Sequence, residues 1–332
     1  MRIEIVKPIF MLEGSSADAL VPWHYGDPLR ETNTFVNDQA CVDLSHFGVV
    51  TVSGADRLSW LHTLTTQWID ENTGSAQALI LSPHGHIEYD LHVIDYADQS
   101  WLITEPETAQ ALTEYLRSMQ FMLRVNVDDV STDFAVVGIS GWVANPDLPT
   151  WHSPKEYSES AAYAYVAGRP HSWQVTQVIV PRAELATFLR DKPLVGIWAW
   201  EAARIRAGIP RLGYETDHKT IAHEVGLITT AVHLNKGCYR GQETVARVFN
   251  LGKPPRRLVQ LEIDGSTNEL PGRNAVITLD GVAVGRLTSI CQDFEHGPLG
   301  LGVVKRTVPS DAVLEIELEE GSVPAAQTAI VN

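Results

Sequence analysis

A single thiol stands between two cations in the C-terminal half of the chain. Cys238 is flanked by Lys236 and Arg240 within the octapeptide KGCYRGQE. Gly237 and Gly241 allow the backbone to turn sharply on both sides of the cysteine, and a helix is predicted to follow. Neighbouring cations and a helix N-terminus both favour thiolate over thiol. The segment therefore predicts a reactive cysteine, although most free cysteines are small buried residues without chemistry.

The chain as a whole is strongly acidic, with a formal net charge of −16 over 332 residues. This balance argues against a general nucleic-acid binder, because phosphate contacts need a basic surface, so tRNA is not expected as a partner. Residues 236–257 are the exception, with six cations against one acid, Glu243. This basic segment is either a solvated loop or the wall of an anion-binding cleft.

The three cysteines, Cys41, Cys238 and Cys291, are widely spaced and show neither a CxxC motif nor zinc-ligand spacing. Reduced thiols of this kind predict a cytoplasmic protein, and no signal peptide is recognised at the N-terminus. No apolar run reaches the roughly 18 residues of a membrane-spanning helix. His84 and His86 lie across a turn without an evident third ligand, so no metal is predicted.

Hydrophobic periodicity predicts an α+β fold. Residues 1–40 show little periodicity and are predicted to be loop. From residue 48 the predicted order is broadly β-α-β-β-α-β, which favours a ferredoxin-like unit over a doubly wound sheet. A long irregular connection is predicted over residues 141–171. A second, weaker unit follows, with helices predicted over residues 182–190 and 196–207.

A change of pattern marks a predicted domain boundary near Pro254 and Pro255, because two prolines force an extended linker. After the linker the apolar residues alternate with period two, and Asp280-Gly281 is a type I′ hairpin signal. The predicted domains are an α+β body over 1–252, with halves at about 40–140 and 172–252, and a C-terminal β-barrel over 258–332.

The predicted helix over residues 196–207 carries Trp200 on the same face as Ala203 and Ala207. A flat indole above small side chains leaves room for a planar ring. A tryptophan at this spacing is, however, more often part of the hydrophobic core. The sequence leaves both interpretations open.

The octapeptide resembles the signature of the YgfZ family, which comprises folate-binding proteins linked to iron–sulfur cluster assembly and repair. That family is related to the T-protein, the aminomethyltransferase of the glycine cleavage system. Segments at residues 47–56, 87–91, 207–210 and 213–227 also resemble both groups, in the same order. The resemblance implies a three-domain cloverleaf, with a ferredoxin-like α+β body, a C-terminal β-barrel and tetrahydrofolate in a central opening.

The resemblance also implies roles for individual residues. Trp200 lies where YgfZ proteins have a tryptophan that contacts folate, and Phe47 lies where relatives have an aromatic contact. Asp90 resembles the T-protein aspartate near the reacting folate nitrogens, and Lys236 lies near a basic folate-binding position. Arg206 departs from the pattern, because relatives have a glutamate there that accepts hydrogen bonds from the pterin ring, and a guanidinium has no acceptor.

Glu201 is retained as a candidate cofactor-binding residue, although it lies about 140° around the helix from Arg206 and is no simple substitute for the missing glutamate. The resemblance implies a tetrahydrofolate-binding protein that supports iron–sulfur assembly. It implies Cys238 as the catalytic residue and assembly factors or client enzymes as partners. The alternative is an aminomethyltransferase that transfers a one-carbon unit to tetrahydrofolate. The octapeptide, which T-proteins lack, favours the first.

Overall fold

The structure, a computed structural model, describes residues 9–12, 16–154, 171–266 and 269–332 of the chain. The α-helices in these residues are α1 (Pro28–Asn37), α2 (Arg57–Leu64), α3 (Ala109–Ser118), α4 (Leu185–Leu189), α5 (Ile197–Arg206) and α6 (Gln242–Leu251). None of them combines the length and the apolar character needed to cross a bilayer. Two short strands, β1 (Phe10–Met11) and β2 (Pro22–His24), pair with each other ahead of α1.

The first sheet has five antiparallel strands in the spatial order β5-β6-β7-β4-β8. Its strands in chain order are β4 (Gly48–Ser53), β5 (Ser75–Leu81), β6 (Ile87–Tyr96), β7 (Gln99–Thr104) and β8 (Asn126–Asp129). Leu112 and Leu116 of α3 and Leu61 of α2 form one core with the buried side chains of this sheet. The arrangement is a ferredoxin-like unit with one additional hairpin strand, which agrees with the predicted α+β class.

The second sheet follows the spatial order β10-β11-β9-β3-β12. Its strands in chain order are β3 (Cys41–Asp43), β9 (Phe134–Ser140), β10 (Thr150–His152), β11 (Val175–Pro181) and β12 (Leu194–Val195). Helices α1 and α5 share a core with it, in which Phe35 and Trp200 pack with Val42 and Val136. Trp151 connects the two sheets, because its Nε1 donates a hydrogen bond to the Ala76 carbonyl at 2.9 Å.

The prediction that residues 1–40 are loop is wrong over residues 28–37, which form α1. The Asp27 carboxylate caps this helix by accepting the backbone N–H of Arg30 at 3.0 Å. Pro28 occupies the first turn, where its missing N–H has no effect on the helix.

Two other predictions are changed in detail. The irregular connection over residues 141–171 contains the strand β10, and its residues 155–170 lie outside the described part of the chain. The helix predicted over residues 182–190 is a 3₁₀ turn, Arg182–Glu184, followed by the short helix α4.

The C-terminal strands close into a barrel in the order β13-β16-β15-β14-β17-β18, with β18 pairing back to β13. They are β13 (Arg256–Ile263), β14 (Val276–Leu279), β15 (Val282–Asp293), β16 (Gly297–Lys305), β17 (Leu314–Glu317) and β18 (Ser322–Ala329). Asp280 and Gly281 both have positive φ, at 50° and 75°, as a type I′ turn requires. The predicted C-terminal β-barrel is confirmed, and the predicted division of the chain near residues 253–257 stays a prediction.

Candidate functional site

A cavity of about 450 Å³ lies between the two sheets and helix α5. Its polar lining includes Gln77, Asp90 and His92 from the first sheet and Gln177 from the second. Its aromatic lining consists of Phe47, Trp142, Trp151, Trp173 and Trp200. This volume and this mixture of aromatic walls with a few polar groups are typical of a site for a planar organic ligand.

Trp200 belongs to the core and to the cavity wall at the same time. Its side chain is 5% exposed and makes edge contacts with Phe35 and Trp173, at centroid distances of 5.8 and 5.1 Å. Its ring lies against Gly138, where a Cβ would stand 2.7 Å from Cζ3. Trp200 is therefore part of the core, its contact with a planar ligand stays a prediction, and Phe47 lines the same cavity.

Asp90 carries the carboxylate that β6 presents to the cavity. Both of its carboxylate oxygens accept hydrogen bonds from Gln77 Nε2 at 3.0 Å. Burial raises the pKa of Asp90 to about 7; the Gln77 hydrogen bonds oppose this shift, and the nearby charge of Glu105 adds to it. Near neutral pH Asp90 can therefore both accept and donate a proton, as general acid–base chemistry requires.

Replacement of Asp90 by asparagine is expected to stabilise the protein at pH 8 by roughly 1–3 kcal/mol and to change little near pH 4. The folded state holds a proton that the unfolded chain releases, because the pKa of Asp90 is raised. The stability of the wild type therefore falls as pH rises from about 4 to 7. Urea unfolding between pH 4 and 8 measures the effect, with Asp128→Asn at a half-exposed carboxylate as control. A gain that is the same at every pH would contradict the raised pKa.

A buried charge cluster, the arginine cluster, borders the cavity. It consists of Arg204 and Arg211 with the carboxylates of Asp18, Glu105, Glu201 and Glu215. Arg211 donates to both oxygens of Asp18 at 2.9 Å and to Glu105 Oε2 at 2.9 Å. Burial alone would raise the pKa of Asp18, but hydrogen bonds from His46 and Arg211 hold it well below its usual range.

The second arginine of the cluster connects α5 to the barrel. Arg204 donates from Nε to Glu201 Oε2 at 2.8 Å, from Nη1 to Glu215 Oε2 at 3.1 Å and from Nη2 to Ser289 Oγ at 2.8 Å. Glu201 also accepts from Arg211 at 3.1 Å. Both oxygens of Glu201 are therefore bound inside the cluster, and the structure does not place this candidate residue on the cavity wall.

Lys236 also lies outside the cavity. Its ammonium donates to the backbone carbonyl of His62, to that of Thr65 at 2.6 Å and to that of Gln67 at 2.9 Å. These carbonyls lie at and just beyond the C-terminal end of α2, where a positive charge is favourable, and burial lowers the pKa of Lys236 to about 8. The predicted contact of Lys236 with folate finds no support, because all three donors are used by the backbone.

Cys238 is exposed in the loop before α6 and does not line the cavity. Arg240 donates from Nη1 to Glu88 Oε2 at 3.1 Å and to the Tyr115 hydroxyl at 3.2 Å. The head groups of both flanking cations are thus bound elsewhere, so the electrostatic reason for a reactive thiol is weaker than the sequence suggested. The chemical role of Cys238 stays a prediction.

Comparison with known proteins shows the family to which the chain belongs. Residues 16–184 match the family described as the GCVT N-terminal domain. The chain belongs to this GCVT family. Its relatives include YgfZ proteins and aminomethyltransferases, so the predicted YgfZ-like, T-protein-related assignment is confirmed.

Individual relatives have low sequence identity to this chain but align with most of its length. A chloroplastic protein of Arabidopsis thaliana named as a transferase is 29% identical over 300 residues, which cover 84% of this chain and 68% of the relative. The tRNA-modifying protein YgfZ of Colwellia psychrerythraea is 23% identical over 232 residues, covering 65% and 69%. The aminomethyltransferase of Xanthomonas axonopodis is 23% identical over 330 residues, covering 90% and 86%.

The fold has a solved counterpart in the GCVT family. The crystal structure of the glycine cleavage aminomethyltransferase T from Bartonella henselae matches with a TM-score of 0.76 and covers 96% of this chain and 92% of its own. Because the sequences are 17% identical, this likeness concerns the fold alone. The predicted fold class is confirmed.

Arg206, where the resemblance predicts a departure from the family pattern, does not line the cavity. Arg206 donates from Nη1 to Asp293 Oδ1 at 2.8 Å and also binds Glu295 through Nη2. It ties α5 to the turn between β15 and β16. The carboxylates that line the cavity are Asp90 and Glu105 instead.

Several residues of the GCVT-family cavity were missed in the sequence. His92 follows Asp90 by two positions on β6, so the period of a strand would have placed both on one face. Glu105 comes directly after β7. Gln177 and Trp151 carry no local signal, because they reach the cavity through the pairing of the second sheet, and Trp173 lies just before β11.

Three of the six cations in the basic segment over residues 236–257 pair with carboxylates. Arg240 pairs with Glu88 at 3.1 Å, Arg247 with Glu243 at 2.6 Å, and Arg256 with Asp217 at 2.6 Å and Glu224 at 2.8 Å. These pairs reduce the charge available to an anion-binding cleft, which was one of the two predicted roles of the segment.

Cys238 is expected to react with iodoacetamide at least about tenfold faster than Cys41 or Cys291. Cys41 and Cys291 are buried; burial raises the pKa of Cys41 to about 11 and that of Cys291 far above its usual range. Mass spectrometry of each cysteine between pH 6 and about 9 gives the rates. Equal labelling of all three would rule out the reactive-thiol hypothesis.

Proposed function

We propose that this protein binds a reduced folate, tetrahydrofolate, in the cavity between the two sheets. The observation that carries the proposal is the meeting of Phe47, Asp90 and Trp200 in one cavity. These are three of the residues for which the family resemblance implies folate contacts. An aromatic wall suits the flat pterin ring, and a carboxylate suits its N–H groups.

The binding pose differs from the one the sequence implied. The pterin N–H groups would be accepted by Asp90 and Glu105, since Arg206 is bound to the barrel and Glu201 is enclosed in the arginine cluster. The acidic tail would leave through the mouth of the cavity, because Lys236 is held by backbone carbonyls.

Calorimetric titration with tetrahydrofolate under anaerobic conditions tests the proposal. Trp173 forms part of the aromatic wall without being fully buried. Trp173→Ala should weaken binding by roughly 1–3 kcal/mol, by analogy with base–aromatic stacking. Trp68→Ala is the matched control, because this indole is 45% exposed and lies outside the cavity. Absence of wild-type binding up to millimolar ligand would refute the proposal.

The cellular role that we infer is support of iron–sulfur cluster assembly or repair. The YgfZ-like octapeptide and the exposure of its thiol support this role, because an exposed cysteine is accessible to an assembly factor or a client enzyme. In cells that lack the endogenous homologue, the wild type should restore iron–sulfur enzyme activity and Cys238→Ser should not. A folded Cys238→Ser variant that restores full iron–sulfur enzyme activity would show that the thiol is not required for this role.

Aminomethyl transfer to tetrahydrofolate is the second candidate. It is supported by Asp90, which stands in the cavity with a pKa near 7, and by an aminomethyltransferase relative aligned over 90% of this chain. A glycine-cleavage assay with the lipoyl carrier protein distinguishes the two. Turnover that depends on Asp90 but not on Cys238 would favour the transferase.

Transfer RNA is not expected as a partner, although one relative bears a tRNA-modifying name. The net charge of −16 and the pairing of the basic segment both disfavour contact with a polyanion. A salt titration of tRNA binding measures this directly. A cytoplasmic location likewise stays a prediction, and one relative is named chloroplastic.

A further inference from the structure

A histidine outside the predicted site is held rigidly against the cavity. His92 lies two residues after Asp90 on β6, and both residues line the cavity. The His92 ring stacks on Trp151 with centroids 3.7 Å apart and planes inclined by 4°. The indole is itself fixed by its hydrogen bond to the Ala76 carbonyl. The position of the imidazole is therefore set before any ligand arrives.

The hydrogen bonding of His92 assigns its proton. Nδ1 makes a short hydrogen bond with Gln177 Oε1. With the Gln177 amide in this orientation, its oxygen only accepts, so Nδ1 carries the proton and Nε2 has a lone pair. Nε2 has no hydrogen-bond partner in the described part of the chain and is not among its fully buried polar atoms, so it is accessible from the cavity. Burial lowers the pKa of His92 to about 4, which keeps the ring neutral.

Gln177 makes this contact at a cost to stability. Its side chain is 1% exposed, and its Nε2 has no hydrogen-bond partner in the described residues. Turning the amide over would leave Oε1 unpaired instead. In either orientation one half of the buried amide lacks a hydrogen-bond partner, which lowers stability. Gln177 therefore does not serve to stabilise β11. Its role is better explained as setting the tautomer of His92.

We propose that His92 is a specificity-determining residue that selects the reduced ring of a folate, and that Gln177 is its positioning residue. Tetrahydropterins carry N–H groups on both nitrogens of the reduced ring, where oxidised pterins carry lone pairs. An imidazole Nε2 lone pair accepts from such an N–H and repels a lone pair. The inference rests on the proposed function for the identity of the ligand.

The geometry of β6 supports this division of roles. Asp90 and His92 stand about 7 Å apart along one face of the strand, a distance of the order of a bicyclic ring. In this pose Asp90 binds the amino and lactam N–H groups that all pterins share, which departs from the place beside the reacting nitrogens that the resemblance implied for it. The imidazole is then the acceptor for the N–H groups that only the reduced ring has.

The first test measures the tautomer in the ligand-free protein. Long-range ¹H–¹⁵N correlation of the histidine rings, assigned with His92→Phe, should show Nδ1 protonated and Nε2 unprotonated. Gln177→Met removes the acceptor, so the proton should move to Nε2 while thermal stability is kept or increased. A protonated Nε2 in the wild type would overturn the proposal, because His92 would then be a donor.

The second test measures the affinities for tetrahydrofolate and folic acid. The wild type should prefer tetrahydrofolate, and His92→Phe, which keeps the stacking on Trp151, should lose about tenfold in tetrahydrofolate affinity with little change for folic acid. Gln177→Met should cause a similar loss. His84→Phe, at an exposed turn outside the cavity, is the matched control.

The outcomes separate the selection step from the proposed function. Equal effects of His92→Phe on both folates, or no effect on either, would overturn the selection of the reduced ring while folate binding stands. If the wild type bound neither folate, the proposed function would fail and the selection with it. The tautomer measured without ligand would be unaffected by that result.

Discussion

Replacement of Arg211 by methionine is expected to lower the free energy of unfolding by about 3–5 kcal/mol. Three carboxylates, Asp18, Glu105 and Glu201, would lose the guanidinium that binds them in a buried environment. Without the guanidinium, these carboxylates avoid a buried unpaired charge only by taking up protons. The loss of unfolding free energy should therefore be larger at pH 7 than at pH 5. Urea unfolding followed by far-ultraviolet circular dichroism at both pH values measures it.

Arg247→Met is the matched control for this change. Arg247 and its partner Glu243 are both exposed on α6, and such helical pairs contribute about 0.5 kcal/mol or less. If Arg211→Met stayed within about 1 kcal/mol of the wild type, the arginine cluster would not be a stabilising element of the fold.

Replacement of Trp200 by alanine is expected to destabilise the protein by about 3–5 kcal/mol, as for other large-to-small changes of buried aromatic residues. The ring lies on Gly138 and contacts Phe35 and Trp173, so its removal leaves a void that opens into the cavity. Under the proposed function, tetrahydrofolate affinity should also fall by roughly 1–3 kcal/mol. Thermal unfolding and calorimetry give the two quantities separately.

Two further variants make the Trp200 result interpretable. Trp200→Phe keeps an aromatic ring and should lose markedly less stability than Trp200→Ala. Trp68→Ala, at an indole that is 45% exposed, should stay near the wild type in both measurements. A Trp200→Ala variant as stable as the wild type would show that the ring is not part of the core.

The fold follows from the sequence wherever the buried face of an element is apolar. Helix α5 is predicted nearly to its observed ends, and β14 is predicted at its observed bounds. The strands β15 and β16 extend beyond their predicted segments, and β18 was not predicted. Helix α1 escapes prediction because its buried residues are Glu31, Thr32 and Phe35. Glu31 accepts the backbone N–H groups of Tyr25 at 2.7 Å and Gly196 at 2.9 Å. Because the buried face of α1 is mostly polar, its sequence shows no helical periodicity of apolar residues.

The candidate site is predictable only in part, because most of its contacts join distant parts of the chain. Phe47, Asp90 and Trp200 were identified through family resemblance, and no local pattern indicates that they meet. Asp18 and Arg211 are bound across 193 residues of sequence. Lys236 was identified through the resemblance as well, and no local pattern indicates that carbonyls of residues 62–67 hold it.

The carbonyl cage around Lys236 makes this residue a built-in probe of motion. Lys236 is 5% exposed and its nitrogen is enclosed by three carbonyl oxygens, so an acylating reagent does not reach it in the closed structure. Modification therefore requires that the octapeptide loop first separate from the end of α2. The rate of acylation at Lys236 therefore reports how often that loop opens, just as amide hydrogen exchange reports how often backbone hydrogen bonds open.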